Sequence, residues 1–188
     1  GVDIIAKTCY GVCMDAIASE EYRELLKEYH NNNDDWGSSI NINNFAKQAV
    51  SKFNPIDILD FGSGKGGGTK AFKELYPDKT IISFDPAFQG EDCLPEKVDM
   101  IYTKDVLEHI EPQCLDYVLK KHFNIVKKVC FHSICTRKAG AILPDGRNAH
   151  LIVESPEWWR NKLQQIGFTI EEERVNVKRH HYGVILTK

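Results

Sequence analysis

Leu59-Asp60-Phe61-Gly62-Ser63-Gly64-Lys65-Gly66-Gly67-Gly68 decides the fold. The apolar run from Ile56 to Phe61 that leads into it reads as a strand, and Thr69 to Tyr76 beyond it as a helix stopped by Pro77. A strand that passes into a helix this way needs glycine where the backbone turns sharply and where it must lie against a ligand. Gly62, Gly64 and Gly67 satisfy the GxGxxG spacing of nucleotide-binding turns. Asp85 follows about twenty residues later, at the end of the next strand, where it can accept hydrogen bonds from ribose hydroxyls. A phosphate-binding P-loop fits poorly, because Lys65 is followed by Gly66 instead of Ser or Thr and Leu59 stands where the first glycine belongs.

Asp60 discriminates between the remaining ligands. A fixed negative charge beside the turn would oppose a pyrophosphate resting there. The same charge favours the ammonium of a methionine moiety, whose carboxylate would meet loop amides or Lys65. The charge pattern therefore prefers S-adenosylmethionine to NAD.

Outward from this stretch, strands and helices alternate to the C-terminus, the signature of a parallel sheet with crossover helices. Thr80 to Phe84 and Val98 to Thr103 read as strands, Gln113 to Phe123 as a helix, and Ile125 to Cys135 as an apolar strand. Ser155-Pro156-Glu157 is a capped helix start with Gly167 as its stop, and Phe168 to Ile170 and His181 to Leu186 close the chain as strands. Upstream, Ser19-Glu20-Glu21 opens a helix with Tyr22, Leu25, Leu26 and Tyr29 on one face. Ser38 or Ser39 would cap a second, carrying Ile42, Phe45, Ala46, Ala49, Val50 and Phe53. Residues 1–54 are thus expected as a helical cap, and residues 55–188 as the ligand-binding core.

At 188 residues, with 42% hydrophobic and 27% charged residues, the chain is long enough for one compact domain and excludes a disordered or low-complexity class. Its 24 Lys and Arg against 27 Asp and Glu, a net charge of −3, offer no global attraction to nucleic acid or an anionic membrane. No apolar run long enough for a membrane span and no basic-then-apolar leader are present, so a cytoplasmic protein is expected. Six scattered cysteines without a CxxC pair read as reduced thiols.

The run Asp60-x-Gly62-x-Gly64-x-Gly66, Asp85, Gly90-Glu91-Asp92-Cys93-Leu94-Pro95 and Asp105-Val106-Leu107-Glu108-His109-Ile110 resembles the class I S-adenosylmethionine-dependent methyltransferases, within them the group that includes many small-molecule enzymes. The resemblance extends from Ile56 to Lys188. It implies a Rossmann-like three-layer α/β sandwich with an antiparallel last strand. It places the methionine part at Asp60, Gly62, Ser63, Gly64 and Gly66, the ribose at Asp85 with Pro86 beside it, adenine near Asp92 and Cys93, and Lys104 and Asp105 at the cofactor's edge. Asp85 and Asp99 are 14 positions apart, too few for the helix and strand usual there. A sheet without the third strand is expected, in the family order 2-1-4-5-7-6.

Transfer of a methyl from a sulfonium needs alignment above all, and a base only where the acceptor must lose a proton. His109 and His150 are the candidate catalytic groups, both at the carboxyl edge of the strands. Asp105, Glu108 and His109 share one face of a helical turn and, with His150, make a candidate divalent-metal set, similar to the ExxEH…H site of small-RNA 2′-O-methyltransferases. The competing reading of Asp105 is a helix cap. The base-amino signature [DNS]PP[YFW] is replaced by Thr103-Lys104-Asp105-Val106, and the Pro-Cys nucleophile of cytosine C5 enzymes is absent. A small-molecule acceptor is therefore expected, with RNA or DNA, or a non-catalytic cofactor-binding module, as alternatives; the basic loop of Arg137, Lys138 and Arg147 keeps nucleic acid open. Tyr22, Tyr29 and Trp36 are candidates for a lid over the acceptor or for core packing, and His180-His181 reads as surface strand.

Overall fold

The computed structural model describes residues 14–34, 41–88 and 93–188. Two short helical segments come first, α1 (Met14–Ile17) and α2 (Glu20–Asn32), followed by α3 (Asn44–Phe53). The alternating region then runs β1 (Asp57–Phe61), α4 (Gly67–Leu75), β2 (Thr80–Phe84), β3 (Val98–Lys104), a 3-10 turn (Leu107–His109), α5 (Leu115–Ile125), β4 (Val126–Cys135), α6 (Pro156–Ile166), β5 (Thr169–Asn176) and β6 (His181–Thr187).

One six-stranded sheet results, in the order β2-β1-β3-β4-β6-β5. The first four strands are parallel to one another, and β6 runs antiparallel to both β4 and β5. This is the expected 2-1-4-5-7-6 arrangement. Among the described residues no strand lies between Pro86 and Lys97, so β2 ends the sheet on that side.

The sheet is apolar on both faces because helices cover both. Leu59, Phe61, Ile101, Cys130 and Val184 pack toward α5 and α6, where Trp159 is fully buried and its neighbour Trp158 is not. Ile58, Met100, Tyr102, Phe131 and Ile185 pack on the other side, toward α3 and α4. Of the segment expected as a cap, α3 thus joins this layer, Phe45 meeting Phe131 edge-on, whereas α2 packs through Tyr22 against Leu143 and Ala149.

Local starts and stops follow side-chain chemistry. Ser19 caps α2, Ser155 caps α6 with Pro156 in its first turn, and Gly167 ends α6 at φ 118°. The second helix differs from expectation: Ser38 and Ser39 lie outside the described residues, and α3 starts at Asn44 because the side chain of Asn43 accepts the Ala46 N–H at 2.8 Å. Helix α4 begins two residues before Thr69, with Gly66 in the left-handed region as its cap. Cys114, Cys130 and Cys135 are free and buried; Cys93 is disulfide-bonded, which corrects the expectation of reduced thiols there.

Candidate active site

The parallel strands β1, β2 and β3 end at one edge of the sheet, and the loops leaving them define the site. At the end of β1, the N–H groups of Gly62 and Ser63 both donate to the Phe84 carbonyl of β2, at 2.8 and 3.2 Å. Gly62 has φ 77°, and a Cβ there would come within 2.5 Å of Val106, so only glycine fits between this turn and the loop after β3. Asp85 holds the turn from the other side: one carboxylate oxygen accepts the Gly64 N–H at 2.8 Å, the other the Ala87 N–H at 2.8 Å.

Asp60 is buried and accepts a 2.7 Å hydrogen bond from the Thr69 hydroxyl. Burial raises its pKa to about 6, with the Thr69 hydrogen bond acting against the rise and the charge of Asp85 adding to it. A cationic group beside it would restore the carboxylate's ionisation. The Tyr102 hydroxyl on β3 is also buried and has no hydrogen-bond partner among the described residues, so a polar group beside the glycine turn has yet to be met.

A cavity of about 400 Å³ opens over this turn. Asp60, Gly62, Ser63, Gly64, Asp85 and Pro86 line one side of it, and Lys104 and Asp105 lie at the end of β3. His109 and His150 are brought to its far side, beneath Ile17, Tyr22 and Leu26 of α1 and α2. Gly66 and Cys93 are not part of the wall, and Asp92 lies outside the described residues, as does Trp36.

Asp105 departs from both readings of it. It neither caps a helix nor lies on the face of one: its φ is 54°, its N–H donates to the Ser133 carbonyl at 2.8 Å, and the single 3-10 turn that follows has Val106 as an uncapped start. Its carboxylate meets Nε2 of His181 at 3.0 Å, and that hydrogen bond raises the histidine's pKa against the opposing effect of burial. His181 therefore belongs to the cavity rather than to a plain surface strand. No sequence spacing could reveal this, since it depends on β6 pairing with β4 so that His181 sits opposite Cys135.

On the far side, Nδ1 of His109 lies 2.6 Å from the Ala149 carbonyl, and Nδ1 of His150 lies 2.5 Å from the Arg137 carbonyl. The rings meet edge to face at 4.7 Å. Burial, with the neighbouring His150, lowers His109 to about 4, so it is neutral near pH 7. Glu108 is wholly buried; burial, reinforced by the charge of Asp105, raises its pKa to about 8. Tyr22, buried as core packing requires, also reaches the site, its hydroxyl donating to the His109 carbonyl at 2.7 Å. Arg147 of the basic loop lies over the Tyr22 ring and pairs with Asp145.

A strand–glycine turn–helix with an acidic residue closing the second strand, in a six-stranded sheet with one antiparallel strand inserted beside its far edge, is the fold of the class I S-adenosylmethionine-dependent methyltransferases. Solved structures agree. The 1,6-didemethyltoxoflavin-N1-methyltransferase of Burkholderia thailandensis, solved with 1,6-didemethyltoxoflavin and S-adenosylhomocysteine bound, matches over 89% of this chain and 89% of its own, with 18% identity and a TM-score of 0.61. Human N-acetylserotonin methyltransferase, solved with S-adenosylmethionine, matches over 89% of this chain with 17% identity and a TM-score of 0.54; this chain spans 55% of its length. A methyltransferase from Mesorhizobium loti matches over 76% of this chain and 97% of its own, at 12% identity and a TM-score of 0.52. No protein-family model and no curated protein sequence matches the chain. Among the described residues, no helix is long and apolar enough to cross a membrane.

Proposed function

We propose that this chain is an S-adenosylmethionine-dependent methyltransferase acting on a small-molecule acceptor. The observation that carries the reading is the single cavity in which Asp60, the glycine turn and Asp85 share a space with an apolar and imidazole-lined far side. The first set suits a zwitterionic amino acid joined to a ribose. The second suits a compact, largely apolar acceptor, since about 400 Å³ lies toward the small end of the roughly 300–1,000 Å³ usual for small-ligand pockets.

In this reading Asp60 faces the ammonium and the amides around Gly62 and Gly64 hold the carboxylate. Asp85 exchanges or shares its backbone hydrogen bonds with the ribose hydroxyls, Pro86 borders the base, and Lys104 and Asp105 close the cavity beside the sulfonium. Methyl transfer then forms a bond from the acceptor's lone pair to the methyl carbon as the carbon–sulfur bond breaks and a neutral thioether leaves. Alignment across the cavity provides most of the rate. For an acceptor that must lose a proton, our candidate bases are His109 and His150, which line the cavity, with the Asp105–His181 pair as a third.

Isothermal titration with S-adenosylhomocysteine is the first test, with micromolar binding expected and none for NAD. Failure to bind either S-adenosylmethionine or its product overturns the reading. A labelled-methyl assay against pools of metabolites, RNA and DNA then separates enzyme from binding module. Incorporation into the metabolite pool alone is expected; incorporation into nucleic acid alone replaces the acceptor class.

A further inference from the structure

The cavity's far side contains a cluster that methyl transfer does not itself require. One carboxylate oxygen of Glu108 and one ring nitrogen each of His109 and His150 lie within 4.8 Å of one another. Glu108 Oε1 accepts the Cys135 N–H at 2.8 Å, whereas Oε2, equally buried, has no hydrogen-bond partner among the described residues. A carboxylate buried without its full set of donors is costly, and a bound cation is among the few groups that offset the cost. Both imidazoles direct Nδ1 at a main-chain carbonyl, Ala149 for His109 and Arg137 for His150. A neutral ring that donates from Nδ1 bears its lone pair on Nε2, and such carbonyl backing is how metal-binding histidines are oriented.

Two chain segments build the cluster, the 3-10 turn and the loop after β4. The Ile152 N–H ties them together by donating to the Glu108 carbonyl at 3.0 Å. Asp105, which the spacing would have placed with these ligands, is engaged with His181 instead and is not in the cluster.

We propose that Glu108, His109 and His150 bind one divalent transition-metal ion, Zn²⁺ or Co²⁺, with its remaining coordination positions open to the cavity. Two imidazoles to one carboxylate select such ions over Mg²⁺ and Ca²⁺, which take oxygen ligands. Ligands about 2.1 Å from a tetrahedral ion stand roughly 3.4 Å apart, so the cluster, whose ligand atoms lie within 4.8 Å of one another, closes by up to about 1.4 Å on loading. His150, partly exposed and on a loop, is the member that can move.

Protein stripped with chelator and exchanged into chelator-free buffer is titrated with Co²⁺, followed by visible absorption, and with Zn²⁺ and Mg²⁺ by calorimetry. One equivalent of Co²⁺, displaced by Zn²⁺ and not by Mg²⁺, is expected. Glu108→Gln retains an acceptor for the Cys135 N–H, and His150→Ala changes a partly exposed side chain. Each should weaken Co²⁺ binding at least tenfold while leaving the metal-free unfolding midpoint nearly unchanged, and His150→Ala decides if Glu108→Gln does not fold. Absence of saturable Co²⁺ and Zn²⁺ binding, undiminished binding in His150→Ala, or equal affinity for Mg²⁺ overturns the proposal. Metal binding does not depend on the methyltransferase reading. S-adenosylhomocysteine binding in the same preparation reports on that reading separately, so a protein that binds the nucleoside and no metal overturns this proposal alone.

Discussion

Asp85 has one observed task and one proposed task, and both use the same two oxygens. It pins Gly64 and Ala87 by their N–H groups, and in the proposed function it receives the ribose hydroxyls. Asp85→Asn keeps one acceptor for those amides but loses the charge and one acceptor. Hydrogen bonds to a charged group are worth about 1.5–3 kcal/mol, so cofactor affinity should fall roughly 10- to 100-fold. Calorimetric titration with S-adenosylhomocysteine measures this, and a melting scan should show the fold retained. An unchanged dissociation constant would remove the ribose role. The positions of Asp60 and Asp85 beside the glycine turn were legible in the sequence, because they follow from where β1 and β2 end. Asp105 and His181 were not: a positive φ at a non-glycine residue and a contact across two sheet strands leave no spacing to read.

At the scale of elements, the alternating strands and helices, and a third strand absent among the described residues, could be read from hydrophobic runs and from the short interval between Asp85 and Asp99. The central strands β1, β3 and β4 are buried on both faces, which yields nearly continuous apolar stretches, whereas β5 at the sheet's edge is largely exposed and charged. The helical turn expected at Asp105 failed because the chain leaves β3 through a left-handed residue into one 3-10 turn. For α2 the sequence offered Tyr22 as a lid over the acceptor or as core packing without deciding between them, since amphipathic spacing gives the buried face and not the surface it meets. Tyr22 is the test of that placement. Tyr22→Phe removes the hydrogen bond to the His109 carbonyl while keeping the ring, and should cost about 1 kcal/mol of stability. With a turnover assay in hand, the acceptor's KM should change more than that of S-adenosylmethionine, because the hydroxyl borders the far side of the cavity; equal effects on both would place α2 outside the acceptor site.

For the molecule as a whole, two buried histidines contribute a destabilisation in acid, which the raised carboxyls of Glu108 and Asp60 oppose and the lowered His109 reinforces. His122 on α5 and His132 on β4 stack at 5.6 Å, fully buried. Burial holds His122 well below its usual range, with His132 adding to the effect, and lowers His132 to about 3 despite an opposing backbone hydrogen bond. The unfolded chain protonates both near pH 6.5, whereas the folded one does not, so the folded state loses stability as pH falls. The loss approaches about 1.4 kcal/mol per histidine for each pH unit below roughly 6.5. Urea unfolding at pH 7.5 and 5.5 should show it, and His122→Leu should flatten the dependence. A pH dependence that His122→Leu leaves unchanged would mean that water or a bound proton already reaches the pair; the wild-type slope alone also includes the opposing contributions of Glu108 and Asp60.

The sheet's termination at β2 couples opening to occupancy. A terminal strand has hydrogen bonds to one neighbour only, so local unzipping starts most readily where β2 leaves β1. Asp85 follows directly on that strand and clips it to the glycine turn through Gly64. The outermost strand and the proposed ribose contact would thus be parts of one small cooperative unit. A ligand that engages Asp85 would act as a clasp on the sheet's weakest seam, and fraying of that seam would release the ligand.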